Sequence, residues 1–358
     1  MANHFHSLRV KKIIKETADC VSVVFDVPEI SKKEFQYKEG QNVVIKHFHN
    51  SEEIRRSYSI CNAPFENELK VAIKKVPGGI FSTYANDQLK ESDLLEVMPP
   101  AGRFNAHLAS SSTANYLAVA AGSGITPIIG IIKHTLKEQP ESKFTLLYGN
   151  KNRSSIIFFE EIESLKNSYM NRFSVVNILS REKTDAEVLY GRIDDTKLAS
   201  LQKIINYSSF DAAYLCGPEH LIFSSTDFLQ HHGMNKSQIH FELFTTSAAV
   251  AQSPVFVETE DSALPKSNIT VRLDGRTFDF NLSYKGNNIL DAALQLGADL
   301  PYACKGGVCC TCRAKLLEGT VSMDVNYALE PEEVEQGFIL TCQAHPTSEK
   351  VVIDFDEK

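Results

Sequence analysis

Cys304, Cys309 and Cys312 form the run Cys-x4-Cys-x2-Cys, and Cys342 follows after 29 intervening residues. Thiolates in this pattern match the ligand set of a plant-type 2Fe-2S cluster, in which each iron takes two protein sulfurs and one tight loop supplies three of the four. Gly306 and Gly307 suit that loop, because a chain bending around an inorganic core needs backbone angles that a Cβ opposes. Cys310 is left as a spare thiol. A structural zinc site would show two closely spaced pairs instead. Disulfides fit poorly as well: the other cysteines, Cys20, Cys61 and Cys216, are scattered, and the N-terminus lacks a secretory signal. Those three read as small buried apolar residues. The pattern makes the chain an electron carrier.

A second set of residues has the chemistry of phosphate and dinucleotide binding. Gly122-Ser-Gly124-Ile-Thr126-Pro127 lies between an apolar run and a helical one. Its glycines admit a pyrophosphate, the helix N-terminus supplies amide donors, and Pro127 fits the first helical turn. A tight strand-to-helix turn with no ligand would use the same residues. Cys216-Gly217-Pro218 marks a comparable turn after the last strand of the same expected sheet, where a ligand lying across the carboxyl ends of the strands would meet it. Ser180-Arg181 ends another expected strand. A hydroxyl and a guanidinium there suit a 2′-phosphate and point to NADPH, against the alternative that Arg181 is only a surface charge. Arg153 is a weaker phosphate candidate.

Nearer the N-terminus, Arg56-Ser57-Tyr58-Ser59 lies on an expected strand, so Arg56 and Tyr58 share a face. The first can pair a pyrophosphate and the second can cover an aromatic ring. Gly78-Gly79-Ile-Phe-Ser82 offers amides and a hydroxyl to the same phosphates. Taken singly, either motif is better explained as structural.

The elements that must position these residues fall into three textures over 358 residues, a length that fits two or three domains. The first hundred residues alternate apolar and polar positions in short runs, as in Asn42-Val-Val-Ile-Lys and Lys70-Val-Ala-Ile-Lys, which predicts an antiparallel β-barrel. From Tyr116 apolar strands at 116–121, 144–148, 175–179 and 212–216 alternate with helical stretches, which predicts an α/β domain with a parallel sheet. A stretch rich in Ala, Ser, Thr and Pro reads as a linker. Beyond it come two β-rich runs around Gly275, a helix over 289–296, the cysteine loop and a last strand over 351–355. The expected division is 1–108, 109–245, a linker at 246–267, and 268–358.

The net charge is −8, which argues against nucleic acid as a partner. From residue 268 onward eight Lys and Arg face fourteen Asp and Glu, so this third domain carries −6 of that total. Its acidic surface could steer a basic partner or simply be solvated. The uncharged run 116–132 is interrupted by Gly122, Gly124 and Pro127 and is too short for a membrane span, so no membrane is expected and the expected compartment is the cytoplasm.

Taken together, Arg56-x-Tyr58-Ser59 and Gly78-Gly79-x-x-Ser82 resemble the flavin-binding motifs of the ferredoxin-NADP reductase family. The runs Phe5-His-Ser-Leu8, Ala120-Ala-Gly-Ser-Gly-Ile-Thr-Pro127, Tyr148-Gly-Asn150, Gly191-Arg-Ile-Asp194 and Asp299-Leu-Pro-Tyr-Ala-Cys-Lys-Gly-Gly-Val-Cys309 extend the likeness over essentially the whole chain. Within the family the chain resembles the branch of reductases that serve phenylacetyl-CoA epoxidases. The resemblance implies a flavin β-barrel, a nucleotide α/β domain and a C-terminal α+β ferredoxin domain of β-grasp type. It implies that Arg56 and Ser82 hold the FAD pyrophosphate, that Tyr58 packs on the isoalloxazine and that Ser59 bonds near its N5, with Ser57, Gly78 and Gly79 also in the flavin-binding set. Gly122, Gly124, Thr126 and Pro127 would line the nucleotide phosphates, with Ser180, Arg181, Gly217 and Pro218 completing that site and Cys216 near the nicotinamide. The residues alone leave FAD and FMN both open; the resemblance implies FAD. It also implies an acceptor, a di-iron oxygenase that epoxidises phenylacetyl-CoA. Two other readings remain: a reductase for another oxygenase or desaturase, and an electron-transfer module whose reductase half is inactive.

Overall fold

The computed structural model describes residues 4–104, 113–244 and 265–357. It divides into two compact units, one covering His4–Leu243 and the other beginning at Phe244. The first unit opens with strands β1 (His6–Thr17), β2 (Cys20–Asp26), β3 (Asn42–His49), β4 (Glu52–Ser59), β5 (Leu69–Lys74) and β6 (Leu94–Val97) and the helix α1 (Ile80–Asp87). The strands pair antiparallel in the order β4-β3-β6-β1-β2-β5. A bridge from Ile60 to Val71, with Cys61 N–H donating to Lys70 O, joins the two edges and closes the barrel. Closure at that corner shortens the bare edge available to template aggregation. Inside sit Leu8, Val10, Val23, Val43, Ile45, Ile60, Val71 and Ile73, the apolar members of the alternating runs. The β3–β4 hairpin turns on Asn50 and Ser51, at φ 51° and 66°. Such a two-residue turn with both φ positive fixes the register, and hence which face each residue of β4 takes.

The α/β part contains β7 (Asn115–Ala121), β8 (Lys143–Asn150), β9 (Phe173–Leu179), β10 (Ala212–Gly217) and β11 (Ile239–Leu243), with α2 (Ile125–Glu138), α3 (Phe159–Ser168), α4 (Asp195–Leu201) and α5 (Glu219–His231). All strands run parallel in the order β11-β10-β7-β8-β9. Tyr116 to Ala120 are fully buried, as expected of a strand covered on both faces. The strand order reverses between β7 and β10, and the crevice at such a switch point is where α/β sheets bind ligands.

The second unit holds β12 (Lys266–Leu273), β13 (Arg276–Ser283), β14 (Arg313–Glu318), β15 (Val321–Met323), β16 (Phe338–Leu340), β17 (Ala344–Pro346) and β18 (Lys350–Asp354), with α6 (Ile289–Gln295) and α7 (Pro331–Glu335). The sheet order β13-β12-β18-β14-β16, with β12 and β18 parallel, is that of a β-grasp fold. β15 and β17 form a separate pair. α6 buries Ile289, Leu290, Ala292 and Ala293 in the core beside Ile269, Val271, Val351 and Ile353. The linker expected at 246–267 lies mostly outside the described residues. Its last two residues belong to β12, where Ser267 is fully buried, so the strand begins two residues earlier than expected. Among the described residues no helix is long and apolar enough to cross a membrane.

Candidate functional site

The four cysteines come together through the sheet. Cys312 immediately precedes β14, and the antiparallel pair Arg313 with Leu340 sets β16 beside it, so that Cys342 returns to the loop from which it is 29 residues removed in sequence. Thr341 fastens the junction: its N–H and its hydroxyl both donate to Cys312 O, at 3.2 and 3.0 Å, and its own carbonyl accepts from Leu290 N–H of α6. Gln343 Nε2 donates to Lys305 O at 3.0 Å and thereby ties the loop to the same strand end. Gly307 takes φ +71°, and a Cβ there would lie 2.9 Å from Val325 Cγ2, so the glycine expected to permit the wrap is required by both conformation and space.

Cys304 shares hydrogen bonds with Cys309 and Cys342, and Cys342 shares one with Cys312, so all four sulfurs meet in one chain of contacts. No group of three or more His, Cys, Asp or Glu among the described residues has the arrangement of a site for a single metal ion. A chain of sulfur contacts differs from four ligands closing on one point, and a two-iron core spreads its ligands over two metals. Hydrogen bonds from Cys309 and Cys342 draw the Cys304 thiol far down, with the Gly306 and Val308 amides adding to this, while the same bonds and burial push the Cys309 and Cys342 thiols up. Gly306 N–H lies 3.3 Å from Cys304 Sγ and Gln343 Nε2 lies 3.6 Å from Cys342 Sγ. Donors aimed at sulfur are what thiolate ligands of a cluster require, so the residues fit the group. Cys310 instead donates its S–H to Ala328 O at 3.1 Å. None of the eight cysteines forms a disulfide, and Cys20, Cys61 and Cys216 are buried, as expected.

On the barrel, alternation along β4 sets Arg56 and Tyr58 on one face, opposite Ile45 and Val43 of β3. Arg56 is exposed, with Nη1 donating to Arg55 O. Tyr58 packs on Phe81 at 5.7 Å, and burial pushes its hydroxyl above the ordinary range. Ser57 donates to Asn42 Oδ1 at 2.8 Å, an engagement within the barrel. Gly78 has φ +73° and Gly79 precedes α1. The Ser82 hydroxyl accepts from Val76 N–H at 3.2 Å and donates to Gly79 O at 3.3 Å, so it braces the turn that presents the first amides of α1.

Ser59, Cys216 and a residue missed in the sequence, Glu242, converge. Glu242 on β11 is the register partner of Cys216 on β10, and Ser59 faces it from the barrel. Ser59 Oγ and Glu242 Oε2 are both buried and neither makes a hydrogen bond of good geometry, although the hydroxyl acts to lower the carboxyl's proton affinity. Burial wins and lifts the Glu242 carboxyl to about 8. Burial, with Glu242 adding to it, also drives the Cys216 thiol well above its ordinary value. Buried polar atoms without partners mark a place prepared for a bound polar group, which fits a flavin edge. The signal available in the sequence was a carboxylate inside the apolar run Ile239-His-Phe-Glu-Leu243.

The two glycine turns meet at the switch point. Gly122 has φ +54°, and its carbonyl accepts from Tyr148 Oη at 2.9 Å. A Cβ on Gly124 would stand 2.0 Å from Cys216 O and 2.8 Å from Gly217 N. Gly124 is therefore demanded by the neighbouring turn as well as by any phosphate. Thr126 and Pro127 are buried in the first turn of α2, while Pro218 caps α5. Ser180 and Arg181 lie two strands away, their amides donating to Asn150 O and Lys151 O. Lys151, Arg153 and Arg181 are at these strand ends, all three exposed. A cavity of about 950 Å³ between barrel and α/β part is lined by Glu16, Lys70, Arg153, Phe158 and Glu161 and contains none of the converging residues.

Three family models match: an oxidoreductase FAD-binding domain over residues 7–106, an oxidoreductase NAD-binding domain over 118–226, and a 2Fe-2S iron-sulfur cluster binding domain over 271–347. Fold and sites thus define an NAD(P)H-dependent oxidoreductase of the ferredoxin-reductase type that uses FAD and a 2Fe-2S cluster. The chain is 43% identical to a subunit of 1,2-phenylacetyl-CoA epoxidase from Escherichia coli K12, over 99% of this chain and 98% of that protein. It is 34% identical to the ferredoxin reductase component of 3-ketosteroid-9-alpha-monooxygenase from Rhodococcus rhodochrous, over 97% and 96%. Phthalate dioxygenase reductase shares the fold, with a TM-score of 0.59 at 22% identity over 98% of both chains. The chain belongs to the family of oxygenase reductases that includes this phenylacetyl-CoA epoxidase component.

Proposed function

We propose that this chain takes a hydride from NADPH and delivers the electrons singly, through its cluster, to a di-iron oxygenase that epoxidises phenylacetyl-CoA. The observation that carries the reading is the meeting of Ser59, Cys216 and Glu242 where the flavin strand faces the nucleotide turns. When bound, FAD accepts hydride and the 2Fe-2S centre carries single electrons, which is the chemistry the protein itself lacks. Tyr58 covers the flavin ring, the Ser59 hydroxyl hydrogen-bonds at its N5 edge, and Arg56 with the α1 amides and Gly78, Gly79 and Ser82 holds the pyrophosphate. Gly122, Gly124, Thr126, Pro127, Gly217 and Pro218 seat the nucleotide phosphates, and Cys216 and the protonated Glu242 exclude water beside the nicotinamide. Ser180 and Arg181, with Lys151 nearby, favour a 2′-phosphate and hence NADPH over NADH. Cys304, Cys309, Cys312 and Cys342 ligate the cluster. The flavin, nucleotide and ferredoxin domains are assigned to 1–108, 109–245 and 268–358, and the working compartment to the cytoplasm, with neither nucleic acid nor membrane as partner.

Stopped-flow mixing of the purified protein with NADPH tests this: the flavin band bleaches first and the cluster is reduced afterwards. Bleaching without later cluster reduction refutes the relay, and a spectrum without flavin points to a module with an inactive reductase half. Reconstitution with phenylacetyl-CoA epoxidase, and separately with a 3-ketosteroid monooxygenase, decides the acceptor; the second is included because of the 34% relative.

A further inference from the structure

The helix α2 carries the nucleotide turn at its head, and one stripe of its surface faces the barrel. Gly130, Lys133 and His134 are spaced three and four residues apart and so share a helix face. At Gly130 the helix lies so close to the chain leaving Ser59 that a Cβ would stand 3.0 Å from Asn62 O and 3.4 Å from Ile60 O. One turn on, Lys133 Nζ, only 5% exposed, lies 2.8 Å from Glu66 Oε2 of the barrel and 2.7 Å from Glu161 Oε1 of α3. His134 Nδ1 lies 3.5 Å from Glu39 Oε2, again on the barrel. From the other side Lys70 Nζ reaches Glu161 Oε2 at 3.4 Å. Glu66 is itself fixed, because Oε2 also accepts Ala63 N–H at 2.6 Å.

A buried ammonium clasped by two carboxylates is a poor way to gain stability, since apolar side chains of equal volume serve as well or better. What it supplies is a single permitted register. Every barrel residue of the stripe's main contacts, Ile60, Asn62 and Glu66, lies within seven residues after Ser59. We propose that Lys133, seated through Gly130, is a positioning residue: its pair with Glu66 sets the spacing between the nucleotide turn and the Tyr58–Ser59 wall. In consequence it sets the distance over which hydride passes to the flavin. The proposal rests on the reading of the chain as an NADPH–flavin reductase.

The test uses full-length, flavin-loaded Glu66→Gln, Gly130→Ala and Lys133→Arg proteins. Glu66→Gln removes only the crossing charge: Lys133 keeps Glu161, and the amide keeps an oxygen for Ala63 N–H. Gly130→Ala acts as a ruler, because a contact at 3.0 Å forces the helix outward by a few tenths of an ångström. Hydride transfer loses about a hundredfold for a displacement near 1 Å, so both variants are expected to slow flavin bleaching at saturating NADPH roughly three- to tenfold. NADPH dissociation constant, flavin content and flavin potential stay within about twofold of wild type, because ground-state binding is not what the register controls. Lys133→Arg, which keeps the charge opposite Glu66, retains most of the wild-type rate. Wild-type rates in both folded variants overturn the proposal, as does a loss that tracks flavin content, NADPH affinity or melting temperature. A wild-type protein that NADPH fails to bleach overturns the functional reading and the proposal with it.

Discussion

Glu242→Gln isolates a carboxyl that burial displaces far from its ordinary range. In the unfolded chain the carboxyl has its ordinary value near 4.5, and in the folded protein burial raises it to about 8. The native state therefore keeps a proton that the unfolded state has released. The associated stability is full below the unfolded value and is lost as pH climbs from about 4.5 to about 8, above which both states are ionised and the loss levels off. Each unit of pH within that window costs about 1.4 kcal/mol, lessening as the folded value is approached, which gives about 2 kcal/mol between pH 6 and pH 8. Glutamine has nearly the same shape and does not titrate. Urea unfolding of the wild-type and Glu242→Gln full-length proteins, followed by circular dichroism across that range, should show wild-type stability falling by about 2 kcal/mol more than that of the variant. Every other titrating group is common to both proteins and cancels. Parallel pH curves would show that Glu242 is ionised in the folded state and refute the picture of a desolvated, proton-holding carboxyl.

Cys342→Ser should abolish the cluster's absorption and its reduced-state paramagnetic signal while NADPH still drives ferricyanide reduction through the flavin; retention of an intact cluster would remove Cys342 from the ligand set. Gly124→Ala forces a Cβ to 2.0 Å from Cys216 O, so a loss of about 1–3 kcal/mol is expected, with NADPH binding lost before flavin binding; an unchanged melting temperature contradicts the close approach of the two turns. Arg181→Ala should raise KM for NADPH by about tenfold or more, the size of one charge-assisted hydrogen bond, and leave KM for NADH nearly unchanged.

The parts of the fold that were legible are those written in local periodicity. Alternation marked the barrel strands, continuous apolar runs marked β7 and β10, and cysteine spacing marked the loop from 304 to 312. Cys342 was legible because a cluster needs a fourth thiol, although the β14–β16 pairing that delivers it is not visible in spacing. Glu242 was missed because a carboxylate in an apolar strand carries no local signature; its meaning comes from Cys216 beside it and Ser59 across from it, both distant in sequence. The motifs of Ser57 and Ser82 did not disclose the contacts their hydroxyls make within the protein, with Asn42 and with the Gly79 turn. Nothing in the sequence singles out Gly130 and Lys133, since only the packed barrel gives them a partner. The first residues of β12 were read as linker because they follow a stretch rich in Ala, Ser, Thr and Pro with no clear period, whereas in the sheet Ser267 is wholly buried.

Charge is handled in opposite ways at the two junctions of barrel and α/β part. Along the α2 stripe the groups are paired ions, Lys133 between Glu66 and Glu161, fixed by opposite charge. At the proposed hydride-transfer site three titratable groups are instead driven to their neutral forms: Tyr58 by burial, Cys216 by burial and Glu242, and Glu242 by burial against the pull of Ser59. The difference follows from what each place must do. A register is held best by charges that tolerate one arrangement, whereas a site that receives two electrons in a dry setting is opposed by any nearby anion, and the opposition grows as water is excluded. Ionising Glu242 would put such an anion beside Ser59, so its burial protects the reaction as well as costing stability at high pH. On the proposed reading the carboxyl serves hydride transfer by keeping its proton, a role that glutamine can fill because its amide has the same reach and never ionises.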